Sequence, residues 1–170
     1  MSALSPLVSV AALALIAAAP VAPLTVGVLA APVAAAESDG TFLPFSTTLR
    51  RCDYSAREYY DAAGEGRATA TVRSGSGQVS ADVRMTQATP NTFYEVRLIQ
   101  APRASAAGCG AGAPGTAVAA MNTDGIGSGA VTLSSPIVAG ATGAWLSIER
   151  PQPNSALPQE FYTTDFIVGI

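Results

Sequence analysis

Gln78-Val79-Ser80-Ala81-Asp82-Val83-Arg84-Met85 is the stretch whose reading decides the fold. Val79, Ala81, Val83 and Met85 take every second position, with Ser80, Asp82 and Arg84 between them. Successive side chains of a strand point to opposite faces, so this run has one apolar and one wet face and predicts a half-buried strand. Upstream, Ala68-Thr69-Ala70-Thr71-Val72-Arg73 alternates in the same way, and Ser74-Gly75-Ser76-Gly77 between the two runs is a turn signal. Together they predict an antiparallel hairpin.

Working outward, Thr89-Pro90-Asn91 turns the chain into Thr92–Ile99, where Tyr94, Val96 and Leu98 share one face and Glu95 and Arg97 the other. Residues 101–115, rich in Ala, Gly and Pro, form a long loop. Thr116–Met121 and Ala130–Leu133 flank the turn Asn122–Gly129 and read as a second hairpin. Ala144-Trp145-Leu146-Ser147-Ile148-Glu149 is a further strand with Trp145 opposite its aliphatic face, either inter-sheet core, the default for a lone Trp, or an exposed binding aromatic. Residues 151–158 form a proline-punctuated loop, and Phe161–Val168 is the last strand, with Phe166, Ile167 and Val168 expected inside. Before the central hairpin, Ser46–Cys52 reads as an edge strand and 53–66 as a loop or one short helical turn. Seven or eight short strands at this spacing predict an all-β fold: an antiparallel β-sandwich, Ig-like or similar, with a small β-barrel as the alternative.

The first 36 residues differ in kind. They contain no charged side chain, and their apolar runs end in Ala34-Ala35-Ala36 before Glu37. Small residues at Ala34 and Ala36 suit a signal peptidase, so 1–36 is expected to be a secretory signal peptide and 37–170 a single all-β domain. The rival is an uncleaved N-terminal anchor, since about 20 apolar residues span a bilayer; prolines 20, 23 and 32 favour cleavage. No stable membrane span is expected after cleavage, and the product is expected to be secreted or associated with the cell envelope. In that compartment Cys52 and Cys109 are expected to form a disulfide bond.

Several function classes drop out on composition. The 170-residue chain has no His and no Lys, so Ser-His-Asp, Cys-His, Schiff-base and P-loop chemistry are excluded. Net charge is −3, and the nine basic residues, all Arg, are scattered along the chain, so no nucleic-acid footprint appears. The absence of Lys and abundance of Ala, Gly, Pro and Arg indicate a high-GC bacterial genome. Paired carboxylates are the one remaining enzyme route, with Asp53, Glu58, Asp61, Glu65, Asp124, Glu149, Glu160 and Asp165 as candidates, yet no spacing selects a pair. No catalytic residue and no cofactor is assigned. Asp124 in Asp124-Gly125-Ile126-Gly127 is the one starting point for a metal site, outweighed by the needs of a tight turn. Tyr54, Arg57, Tyr59 and Tyr60 form a possible binding surface, with packing over one end of the sandwich as the plainer reading.

The order Pro90-Asn91-Thr92 with Tyr94, Val96 and Leu98 at alternate positions after it, followed by Thr123-Asp124-Gly125, Gly127 and a strand, resembles small exported proteins of mycobacteria and related actinobacteria with a β-sandwich domain. The resemblance implies envelope or extracellular residence and carries no catalytic residue. The expected function is a non-enzymatic envelope or extracellular binding module, monomeric, whose partner is a protein or an envelope glycan. The alternative is a carboxylate-dependent hydrolase acting on envelope glycan.

Overall fold

The alternation in 67–86 is realised residue for residue. In the computed structural model, which describes residues 39–59 and 64–170, β2 (Arg67–Gly75) and β3 (Gln78–Thr86) pair antiparallel from Arg67↔Thr86 to Gly75↔Gln78. Ser76 and Gly77 join them, both at positive φ (52° and 73°), the geometry of a two-residue turn that matches strand twist. Ala68, Ala70, Val72, Val79, Ala81, Val83 and Met85 are all buried.

The other strands are β1 (Thr41–Ser46), β4 (Phe93–Ala101), β5 (Thr116–Asn122), β6 (Gly129–Pro136), β7 (Gly143–Arg150), β8 (Glu160–Thr164) and β9 (Val168–Gly169). All ladders are antiparallel, in the order β5-β4-β7-β8-β1-β2-β3-β6, with β9 beside β7. β1 joins the two halves: Thr41–Pro44 pair with β2, and Phe45–Ser46 pair with β8. β5 and β6 lie alongside each other without a ladder, so the sheet is nearly closed on itself and barrel-like. One core fills the interior: Leu43, Val79, Val83, Met85, Tyr94, Val96, Leu98, Leu146, Ile148 and Tyr162 are each at most 1% exposed.

Three local expectations are corrected. The first strand is Thr41–Ser46, which keeps only Ser46 of the expected run, while in 47–52 only Arg50 makes a bridge, to Ala56. The segment 116–133 is no paired hairpin: its turn carries the chain from β5, which pairs with β4, to β6, which pairs with β3. Phe166 and Ile167 are 44% and 40% exposed and only Val168 is buried, because the chain leaves β8 at Asp165 before rejoining β7. The leader 1–36 lies outside the described residues, and among those described no helix is long and apolar enough to cross a membrane.

The β5–β6 turn is fixed by Gly127. Its φ is +78°, and a Cβ there would lie 2.1 Å from the Ala88 carbonyl oxygen. Its own carbonyl accepts the Ala88 N–H at 3.1 Å. Gly127→Ala is expected to destabilise the fold by about 2–3 kcal/mol, combining left-handed strain with overpacking. A urea midpoint unchanged from the parent's would refute this.

Candidate binding cleft

The chain's second hydrophobic cluster lies outside the sandwich interior, and its cause is legible in β7. A strand with one wet face alternates, but Gly143–Ile148 is buried at every position. The end of β4, Leu98–Ala101, is buried throughout as well. Loops cover the outer face of these two strands. Ile99, Ala101, Trp145 and Cys109 pack there, with Cys52 and Tyr54 against them. Trp145 is therefore buried, at 1% exposure, but beneath the loops rather than between the layers.

The covering segment 49–57 is a small hairpin in its own right. Arg57 N–H donates to the Leu49 carbonyl at 2.8 Å, and Arg51 N–H donates to the Ser55 carbonyl at 2.8 Å. Asp53 caps its tip by accepting the Ser55 N–H and hydroxyl, which lower the Asp53 pKa. Three anchors hold it in place, one to the neighbouring loop and two to the sheet. Cys52 is disulfide-bonded to Cys109. The Tyr54 ring meets Trp145 edge-on at 5.3 Å, and its hydroxyl donates to the Thr164 carbonyl at 3.0 Å. Thr163 Oγ1 donates to the Thr48 carbonyl at 2.6 Å. Arg103 folds the loop that carries Cys109, donating to the carbonyls of Gly108 and Pro114.

Between these loops and the sheet is a cleft of about 420 Å³. Its floor is Arg97 and Ile99 of β4 with Trp145, Ser147 and Glu149 of β7, cross-strand neighbours in the register Ile99↔Trp145 and Arg97↔Ser147. Leu49, Arg50, Arg51, Cys52 and Arg57 line one wall, Ser105 and Cys109 another, and Ala156, Leu157 and Pro158 a third. The fold thus gathers four of the nine scattered arginines against a single carboxylate. Strand pairing puts Arg97 on the floor, and the disulfide holds the segment with Arg50, Arg51 and Arg57 above it.

The polar groups of the cleft fall into two sets. Arg97 is engaged: it pairs with Glu95 and, at 3.0 Å, with Glu149. Burial pushes the Glu149 pKa up, Arg97 pulls it down, and the neighbouring Glu95 adds to the rise. Arg50 stacks its guanidinium 4.0 Å from the Tyr54 ring centre. Arg50 Nε, Trp145 Nε1 and Ser147 Oγ are buried without a hydrogen-bond partner. Among the described residues only Arg103 Nε shares that condition. Buried polar atoms are nearly always satisfied, so three orphans around one cleft set it apart from the rest of the fold.

The residues expected as a binding surface divide. Arg57 lines the cleft and is exposed. Tyr54 packs into the cleft's support, and burial raises its pKa. Tyr59 is half-buried against Phe161, with ring centres 5.8 Å apart. Tyr60 and Asp61 lie outside the described residues. Asp124 Oδ1 accepts the N–H groups of Ile126 and Ser128, so its carboxylate closes the β5–β6 turn. Glu58, Glu65 and Asp165 are exposed, and Glu160 belongs to a separate hydrogen-bonded cluster with Thr89, Tyr94 and Arg150. Sequence reasoning missed Arg50, Arg51, Arg97 and Ser147 as site members. The available signals were the tandem Arg50-Arg51 beside Cys52, and a Ser and a Trp on the expected wet face of an otherwise apolar strand.

The frame defines a disulfide-pinned cleft on the outer face of an antiparallel β fold. The chain matches no protein-family model, no curated protein and no solved structure.

Proposed function

We propose that this protein is a non-enzymatic binding module that works outside the cytoplasm and takes its ligand in the cleft over β4 and β7. The observation that carries this reading is the set of three unpartnered polar atoms, from Arg50, Trp145 and Ser147, around one loop-framed cavity. Recognition sites commonly combine a rigid scaffold, loops and a few polar groups awaiting a partner. The disulfide is compatible with extracytoplasmic residence, and the leader and the resemblance to exported actinobacterial proteins support it.

The test is the melting temperature of the oxidised protein against envelope glycans, peptides and small metabolites. A ligand at about 100 times its Kd adds roughly 2.7 kcal/mol of stability, a rise of several degrees. The reading predicts that one class gives this rise and that Ser147→Val abolishes it. A flat response to the whole panel would overturn it.

The hydrolase alternative has one observation in its favour, the burial-raised pKa of Glu149 beside Glu95. Against it, these two carboxylates are directly opposite on neighbouring strands and share Arg97, rather than facing each other across a cleft with room for a scissile bond.

A further inference from the structure

The three orphans differ in what they can accept. The Nε–H of Arg50 and the indole N–H of Trp145 are donors only, and the Ser147 hydroxyl both donates and accepts. Two of the three are therefore satisfied only by a group that brings lone pairs. The charges lean the same way, because Arg97 is neutralised by Glu95 and Glu149. Arg50, Arg51 and Arg57 form no ion pair among the described residues. Arg50 and Arg51 each give one Nη1–H to a backbone carbonyl, of Tyr54 and Ala56 respectively. Each keeps further N–H groups of its fork for another acceptor. In a protein of net charge −3, three such guanidiniums along one wall make a local positive site.

From this donor excess we infer that the cleft's ligand is a small molecule bearing an oxyanion, a carboxylate or a phosphate, held by Arg50, Arg51 and Arg57. This deepens the binding-module reading and rests on it. Both groups are acceptor-only and match the guanidinium fork, which binds them in bidentate fashion. A cavity of about 420 Å³ suits one compact molecule rather than a long polymer. Arg51 and Arg57 are exposed and meet the anion first. The orphaned atoms are sealed from solvent, so reaching them includes rotation of neighbouring side chains. The apolar wall of Ala156, Leu157 and Pro158 is left to the uncharged part of the ligand.

The experiment is calorimetric titration of the oxidised full chain with four probes: glucuronate, glucose 1-phosphate, inorganic phosphate and neutral glucose. Both sugar anions are expected to bind at least tenfold more tightly than glucose, with affinity falling as salt rises. Inorganic phosphate separates the sources: binding as tight as that of glucose 1-phosphate makes the bare anion the ligand, and weaker binding assigns part of the recognition to the sugar body. Two variants with opposite signs guard against a merely structural effect. Arg57→Gln, at an exposed position, is expected to weaken the anions about tenfold. Glu149→Gln removes the opposing charge, leaves Arg97 paired to Glu95, and is expected to strengthen them. Equal binding of glucose and the anions would overturn the oxyanion inference and leave the binding module standing. A neutral ligand from the wider panel that raises the melting temperature, with no anion binding, would do the same. No binding by any probe or panel member would overturn both.

Discussion

Replacing both Cys52 and Cys109 by Ala is expected to lower stability by about 4 kcal/mol, a large part of the 5–15 kcal/mol typical of a domain. The bond joins residues 57 apart, and the closed loop contains all of β2, β3 and β4. In the chain-entropy account, restricting so long a loop in the unfolded chain is the main source of stabilisation. Here the restricted segment holds strands from both halves of the sheet, β2 and β3 from one and β4 from the other. Cys109 is buried, so Ala is preferred to Ser, which would add a hidden hydroxyl without an assured partner. The measurement is urea denaturation of parent and double variant. A loss under about 1 kcal/mol would mean that the strand ladders alone restrict the chain and that the bridge serves the cleft. The cleft is affected either way: segment 49–57 keeps Tyr54 on Trp145 but loses its covalent anchor, so ligand affinity is expected to fall.

The same bridge shows how much of the molecule was legible in the sequence. Cys52 and Cys109 had one possible intramolecular pairing, so their union needed only the compartment argument. The central hairpin was legible because two independent signals agreed, period-two alternation and a Gly-bearing turn at Ser76-Gly77. The segment Thr116–Leu133 offers the same two signals, yet its turn joins strands that pair elsewhere. A turn dictates a reversal of direction, and which edge each strand then finds depends on the whole sheet. The first strand, Thr41–Ser46, carries Pro44, a residue that weakens a strand pattern in a sequence. Here Pro44 stands where β1 passes from β2 to β8, so interruption and pairing coexist. The cleft was the least legible part. Its floor depends on the β4–β7 register, and its arginines at 50, 51, 57 and 97 meet only through that register and the disulfide.

Glu160→Ala is expected to cost about 3 kcal/mol through an unrelated mechanism. The Glu160 carboxylate accepts hydrogen bonds from Tyr94 Oη at 2.6 Å, Thr89 Oγ1 at 2.8 Å and Arg150 at 2.9 Å. Its side chain is 12% exposed and that of Arg150 27%. Truncation strands the Arg150 charge and two hydroxyls, and breaking a largely buried pair by removing one partner costs about 3–5 kcal/mol. The partial exposure of Arg150 places this case at the lower end. The phenol of Tyr94 links the cluster to the sandwich interior, since the Tyr94 ring is itself fully buried. A pH test isolates the ionic part. Burial alone would raise the Glu160 pKa, but the bonds from Tyr94, Thr89 and Arg150, with the Arg150 charge, outweigh it and hold the pKa below its ordinary 4.5. With the folded pKa depressed, the contribution is present above about pH 4.5 and is lost as pH falls through the folded value. Glu149 acts in the opposite sense: its pKa is raised, so its contribution is greatest below 4.5 and declines as pH rises through its folded value. Glu160→Gln keeps the side-chain volume but removes the charge together with its titration, and it turns one accepting oxygen into an N–H donor. The stability difference between parent and Glu160→Gln, measured from neutral pH downward, is expected to shrink below pH 4.5. A difference that stays constant with pH would show that the cluster is held by neutral hydrogen bonds and packing, with no contribution from the carboxylate's charge.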